Sequence, residues 1–146
     1  MSMKSANRPL PKPDEDSEPF WTGCRDGKLR MQQCDTCAEI RFRPSAVCPA
    51  CLSEVFHWQP LSGRGHVHSF GIVHRPLVPG FEDVPYVLAL VDLDEGPRMT
   101  TQVVGCDVDD VRIDMPVTVM FTEVGPETYL PMFIPAEARY LKEEML

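Results

Sequence analysis

The chain has 146 residues, a formal net charge of -8, and hydrophobic residues at 43% that never run together for long. These values fit one compact domain, or a small metal-bound unit joined to a modest barrel, and exclude a helical membrane span, which needs roughly 18 successive apolar residues. The acidic balance argues against general nucleic-acid binding, which rests on Lys and Arg neutralising phosphates. The charge is uneven, however: residues 25–79 carry seven basic and four acidic side chains, whereas residues 80–146 carry four basic and fourteen acidic.

Residues 1–13 end in Pro9-Leu10-Pro11-Lys12-Pro13 and read as a disordered leader with little to bury. No charged segment followed by an apolar run opens the chain, so the reading is a soluble protein of the reducing cytoplasm. Residues 14–28 begin with acidic side chains, pass through Phe20 and Trp21 and close on Gly23 or Gly27. That order suits a short N-terminal helical segment. The Phe20-Trp21 pair is an anchor, either packed on the rest of the chain or offered to a partner protein, where aromatics are enriched.

Residues 29–61 hold the most informative pattern, two Cys-x-x-Cys pairs at Cys34/Cys37 and Cys48/Cys51. Thiols two residues apart reach one ion because a tight turn points both sulfurs to the same side, and two such turns complete a tetrahedron. Four thiolates around zinc is the leading reading, with iron in the same cage and a pair of disulfides as competitors. A redox Cys-x-x-Cys needs its first thiol at a helix N-terminus, yet Leu29 to Gln33 and Ile40 to Phe42 read as short strands. An all-cysteine site leaves no open coordination position, so this metal is expected to stabilise the fold without doing chemistry. Cys24 and Cys106 are read as small hydrophobes.

From residue 62 to 135 the pattern changes to longer strands. Of fifteen prolines, eleven lie from Pro44 onward, between short apolar runs, where they mark strand ends and turns. Gly63-Arg64-Gly65 opens a run from His66 to Val78, long for one straight strand, with a bulge or bend expected at Gly71. Tyr86 to Asp94 is apolar on both parities, as for a strand buried on two faces. Met99 to Val104, Val117 to Val124 and a short Pro131 to Ile134 follow, with an excursion at Asp107 to Asp114. Five strands, the first long and bent, match a small closed barrel of the OB type, a sandwich being the competitor. Residues 136–146 form a C-terminal tail or short helix, with Ala138, Leu141 and Met145 at helical spacing.

Laid out in this way, the chain resembles the zinc-ribbon plus OB-fold family long catalogued as a domain of unknown function and since associated with acyl-CoA chemistry. The matching segments include Pro19-Phe20-Trp21, Cys34 to Cys37, Cys48 to Cys51, Gly63-Arg64-Gly65-His66-Val67, Val73-His74-Arg75, Pro85-Tyr86-Val87, Leu93-Asp94-Glu95-Gly96, Val104-Gly105 and Val111 to Pro116. The resemblance implies a mainly β protein: an N-terminal helical segment, a rubredoxin-like zinc ribbon and a five-stranded OB-fold barrel. It implies an accessory subunit of a thiolase-like, aldolase or hydratase enzyme, with a CoA thioester as ligand. One departure stands out: relatives commonly place glycine after the first Cys-x-x-Cys, where φ is positive, and this chain has Ala38. The left-handed conformation costs alanine roughly 1 kcal/mol, small against zinc binding of order 10 kcal/mol.

The residues give poor support for catalysis by the chain itself. There is no Gly-x-Ser-x-Gly elbow, phosphate-binding glycine loop or His-Glu-x-x-His helix. His66 and His68 read as polar residues on a wet strand face, Asp92/Asp94 as a solvated turn, and Asp109/Asp110 as a cap or loop. The expected surface for ligand or partner takes in Phe20, Trp21, Arg41, Arg43, Arg64, His74, Arg75, Phe81 and Tyr86. Within it, Arg41, Arg43 and Arg64 join Arg25, Lys28 and Arg30 as a phosphate-facing set, while Phe81 and Tyr86 meet the acyl or pantetheine arm. The alternative function is a single-stranded nucleic-acid module, since OB barrels bind strands with basic grooves and stacking aromatics; the acidic later strands speak against it.

Overall fold

A computed structural model describes residues 9–76 and 81–137. Helix α1 spans Glu18–Arg25, with Pro19 in its first turn, where a missing N–H costs nothing, and Asp14 and Ser17 bonded to each other just before it. Its buried face is Phe20, Gly23 and Cys24. Glycine is required at position 23, because a Cβ there would sit 2.7 Å from the Lys28 carbonyl oxygen.

Strands β1 (Arg30–Cys34), β2 (Ile40–Arg41) and β3 (Phe56–Pro60) form an antiparallel sheet in the order β2-β1-β3. The barrel follows from β4 (Arg64–Val73), β5 (Tyr86–Leu93), β6 (Arg98–Val103), β7 (Pro116–Gly125) and β8 (Thr128–Pro135), closed in the order β4-β5-β6-β8-β7. A single 3-10 turn, Val108–Asp110, capped by the Asp107 side chain, lies in the excursion between β6 and β7. The β4–β7 pairing from Arg64↔Thr118 to His66↔Pro116 closes the barrel, and β6 meets β8 in parallel at Val103↔Phe133. This is the OB arrangement expected from the sequence; the sandwich is set aside. The interior is filled by Val67, Val87, Ala89, Val91, Met99, Val103, Val117 and Phe133, in one continuous core with Leu29 just before β1, Met31 on β1 and Phe20 of the helix.

Several local expectations are corrected. The irregularity in β4 falls between Val67 and Ser69, not at Gly71, which pairs with Leu88 in regular register and has open space where a Cβ would be. Strand β5 is buried on one face only: Val87, Ala89, Val91 and Leu93 point inward, while Leu88 stays 46% exposed because the helix covers only part of the barrel's outer wall. Strand β8 is longer than expected and contains Pro131 and Pro135; its ladder toward β6 is so short that prolines cost few hydrogen bonds there. Within the presumed leader, Leu10 lies on the β7–β8 hairpin, where its Cδ1 would be 2.8 Å from a Cβ at Gly125. The helical spacing of Ala138, Leu141 and Met145 falls outside the described residues.

At Gly65, an added Cβ would stand 2.5 Å from the Asp92 carbonyl oxygen and 3.0 Å from Val91 Cγ1, so β4 and β5 would have to part at the closing edge of the barrel. Gly65→Ala is expected to cost about 2–4 kcal/mol by urea unfolding of the zinc-loaded protein, whereas Gly71→Ala, in open space, should stay within about 0.5 kcal/mol.

Candidate metal centre and neighbouring surfaces

The two cysteine turns are near copies of each other. In the first, the Ala38 N–H donates to the Cys34 carbonyl at 2.9 Å and the Cys34 N–H to the Glu39 carbonyl at 2.9 Å. In the second, the Leu52 N–H donates to the Cys48 carbonyl at 2.8 Å and the Cys48 N–H to the Ser53 carbonyl at 2.9 Å. Each turn is completed by a left-handed residue, Ala38 at φ 67° and Leu52 at φ 66°. The sequence reading found the first and missed the second, although Leu52 holds the same place after its own Cys-x-x-Cys. The turns are tied together by Thr36 Oγ1 donating to Ser53 Oγ at 2.9 Å and the Asp35 N–H donating to the Val55 carbonyl at 3.0 Å.

This geometry brings all four sulfurs within 4.8 Å of one another. Cys34 and Cys51 Sγ are 3.6 Å apart, and Cys37 and Cys48 Sγ 3.7 Å. A tetrahedron with zinc–sulfur bonds of about 2.3 Å has edges of about 3.8 Å, so the cage fits the ion, and the sulfurs stand well beyond the roughly 2.05 Å of a disulfide. All six cysteines are free thiols. The first cysteine of each pair is buried and the second exposed. Amide hydrogen bonds, the Cys37 N–H first and Thr36 next, lower the Cys34 thiol to about 6, and the Cys51 N–H similarly lowers Cys48. The second cysteine of each pair goes the other way: against the Glu39 and Ser53 amide hydrogen bonds, burial and the neighbouring sulfurs push Cys37 up to about 12 and raise Cys51, so binding a cation displaces protons from these two. With four protein ligands and no open position, the donor set suits a structural ion.

His57, on β3, donates from Nδ1 to Asp35 Oδ1 at 2.6 Å, beside Cys34. That hydrogen bond, opposed by slight burial, raises the His57 pKa above the usual value of 6.5. A raised folded-state value stabilises the fold below the unfolded pKa, and this contribution is lost as pH rises through the folded one.

The residues expected to form one ligand or partner surface are dispersed. Phe20 is buried in the core, packed edge-on against Trp21 (5.0 Å) and Phe42 (6.3 Å), so it is a packing residue. Arg41 is also buried: Nε donates to Gln32 Oε1 at 2.8 Å, Nη2 to the Ser45 carbonyl at 2.7 Å, and Cζ lies 4.9 Å from the Phe56 ring centroid. A two-residue strand set against β1 leaves its side chain nowhere else to go. Arg64 is exposed beside Asp94 at 3.8 Å, and Arg25 beside Asp26 at 3.8 Å. His74 and Arg75 are exposed past the end of β4, and Phe81 and Tyr86 meet at 6.2 Å between ring centroids. Of the six cations of the phosphate-facing set, Arg41 is thus turned inward, while Arg25 and Arg64 stand beside carboxylates.

Two concavities flank the seam between ribbon and barrel. A cleft of about 870 Å³ is lined by Lys28, Arg30, Leu61, Val119, Phe121 and Ile134, among others. An apolar groove of about 400 Å³ lies between α1, the crossing Phe42-Arg43-Pro44 and the outer barrel wall, with Trp21, Leu88, Leu130 and Pro131 along it. Gln102 lines this groove at 8% exposure, and its Oε1 has no hydrogen-bond partner. Sequence reasoning missed Leu88 and Gln102, since neither motif nor spacing marks an outward-facing strand residue left uncovered.

His66 and His68, read separately from Asp92, are brought to it by strand register. Asp92 pairs with His66 on β4 and Arg98 on β6. Its carboxylate accepts from Arg98 Nε at 2.6 Å and lies 3.3 Å from His68 Nδ1 and 3.9 Å from His66 Nε2. The Arg98 hydrogen bond holds its pKa below the usual carboxylate value, so any stability it supplies is lost as pH falls through that lowered value.

Comparison with known proteins agrees with this architecture. Residues 21–57 match a family model for the ChsH2 rubredoxin-like zinc ribbon domain, and residues 58–122 one for the ChsH2 C-terminal OB-fold domain. A probable enoyl-CoA hydratase alpha subunit of Thermomonospora curvata is 39% identical over 133 residues, covering 90% of this chain, which spans only 41% of that relative's length. A DUF35 domain-containing scaffold protein of Methanothermobacter thermautotrophicus is 36% identical, covering 68% of this chain and 75% of the relative. Among solved structures, a chain of the Ltp2-ChsH2(DUF35) aldolase superposes with a TM-score of 0.78 at 37% identity, covering 86% of this chain and 98% of that one.

Removing the metal with a strong chelator should abolish hydrogen-exchange protection in residues 30–60, because so small a sheet cannot stand without its ion; the readout is exchange mass spectrometry before and after chelation. By nuclear magnetic resonance, His57 should titrate above 6.5 and return to about 6.5 in Asp35→Asn. With a four-cysteine zinc ribbon on a closed OB barrel and a scaffold relative matched over most of its length, the chain belongs to the DUF35 family.

Proposed function

We propose that this chain is a non-catalytic accessory subunit of a thiolase-like, aldolase or hydratase enzyme in the cytoplasm, and that it contacts the CoA thioester on which that enzyme works. The observation that carries the reading is the apolar groove between α1 and the barrel. Trp21, Phe42, Leu130 and the half-exposed Leu88 leave contiguous apolar surface uncovered, with a buried acceptor, Gln102 Oε1, awaiting a donor. Such a patch suits a protein interface centred on an aromatic anchor. The relatives support the class of partner, being named as a hydratase subunit, a scaffold protein and a component of an aldolase.

For the thioester, the cleft holding Lys28 and Arg30 supplies cations for phosphates beside apolar walls from Leu61, Val119 and Phe121. The Phe81–Tyr86 pair, with His74 and Arg75 exposed nearby in sequence, offers a second apolar contact for the acyl or pantetheine arm. In this reading the metal fixes the base of the ribbon and takes no part in the reaction. A cage that needs its four thiols reduced supports a reducing compartment.

Tagged protein purified from its native cell should bring down one acyl-CoA enzyme in stoichiometric amount. Leu88→Asp and Trp21→Ala should each release that enzyme, at a cost of about 2 kcal/mol or more of binding energy, while the zinc content is unchanged. Retention of the partner by both variants would reject the groove. In calorimetric titrations of the complex with CoA, Lys28→Glu combined with Arg30→Glu should weaken binding at least about tenfold; unchanged affinity would remove the thioester from the proposal.

A further inference from the structure

The three-stranded sheet has one face on which metal ligand and cation stand in adjacent rows. Arg41, Gln32 and Trp58 are cross-strand partners in one row, and Cys34 and Phe56 in the next. Gln32 and Cys34 are two apart on β1, so their side chains share this face, with the rows about 7 Å apart. Arg41 is 7% exposed and lies over Phe56, the residue paired with Cys34. A guanidinium removed from water is costly unless an opposite charge answers it. No ion pair among the described residues includes Arg41; its neighbours are the Gln32 and Ser45 oxygens and the Phe56 ring. The two buried ribbon atoms without a hydrogen-bond partner, Arg41 Nη1 and Gln32 Nε2, are both donors.

We propose that Arg41 is the counter-charge of the metal centre. A dication held by four thiolates carries a charge of about -2, and a cation one row away, itself withdrawn from water, offsets part of it. The tetrathiolate in turn compensates the buried guanidinium, so each makes the other's burial tolerable. Arg41 touches no ligand of a partner enzyme; its part is to offset the negative charge of the loaded cage from the adjacent row. Second-shell groups of this kind typically alter metal affinity by ten- to a hundredfold.

The test separates charge from hydrogen bonding. Zinc affinity of the full chain is measured by chelator competition at one pH for Arg41→Lys, which keeps the charge and loses the planar fork, and for Arg41→Gln, which keeps hydrogen-bonding capacity and loses the charge. Arg41→Met, which lacks both, completes the series, and visible absorbance of the cobalt-loaded proteins verifies four-thiolate coordination in each. The lysine variant should stay within about threefold of the parent, while the glutamine and methionine variants should both fall about tenfold or more. Parental affinity in the glutamine variant, or equal losses in all three, would overturn the assignment. Should the methionine variant fail to fold, the lysine and glutamine pair still decides.

Discussion

Four sulfurs held within 4.8 Å of one another are the constraint on which the rest depends. The ribbon sheet has one strand of two residues and two of five, too little to bury a core of its own. What fixes its shape is the demand that two turns, each ending in a left-handed residue, face their cysteines inward together. Once they do, β1 and β3 run side by side from Cys34 to Arg30, and Leu29 and Met31 are delivered to the barrel core. The metal centre thus acts at a distance, by holding the sheet against which the helix and barrel pack.

The seam between these parts is where the chain has surface to offer. Phe20 closes its interior, whereas Trp21, Phe42 and Leu88 stand along the groove wall. Burial on one side and apolar exposure on the other is what a subunit shows when its partner supplies the missing cover. The cleft lined by Lys28 and Arg30 lies elsewhere along the same seam, so the proposed docking and the proposed thioester contact need not compete.

Much of this was legible in the residues, for physical reasons. Paired cysteines at fixed spacing admit few geometries, and apolar runs punctuated by proline and glycine mark strands; both give the ribbon and the barrel. Ala38 was readable as a strained turn because cysteine knuckles impose positive φ, and Leu52 would have been by the same rule. Outward faces were not legible. Tyr86 to Asp94 is apolar on both parities whether or not something covers its outer side, so sequence cannot separate a doubly buried strand from one carrying a docking face. Arginines posed the same difficulty: Arg41 and Arg43 are two apart, yet register against Gln32 buries the first while a left-handed turn at φ 69° exposes the second. His66, Asp92 and Arg98 form a row only because three strands align.

The central claim is that one ion bound by sulfur alone organises this protein. Zinc K-edge X-ray absorption on the purified full chain tests it most directly. The account predicts four sulfur neighbours at about 2.3 Å and no nitrogen or oxygen in the coordination shell. A mixed shell, or a folded protein whose edge shows no bound zinc, would contradict it.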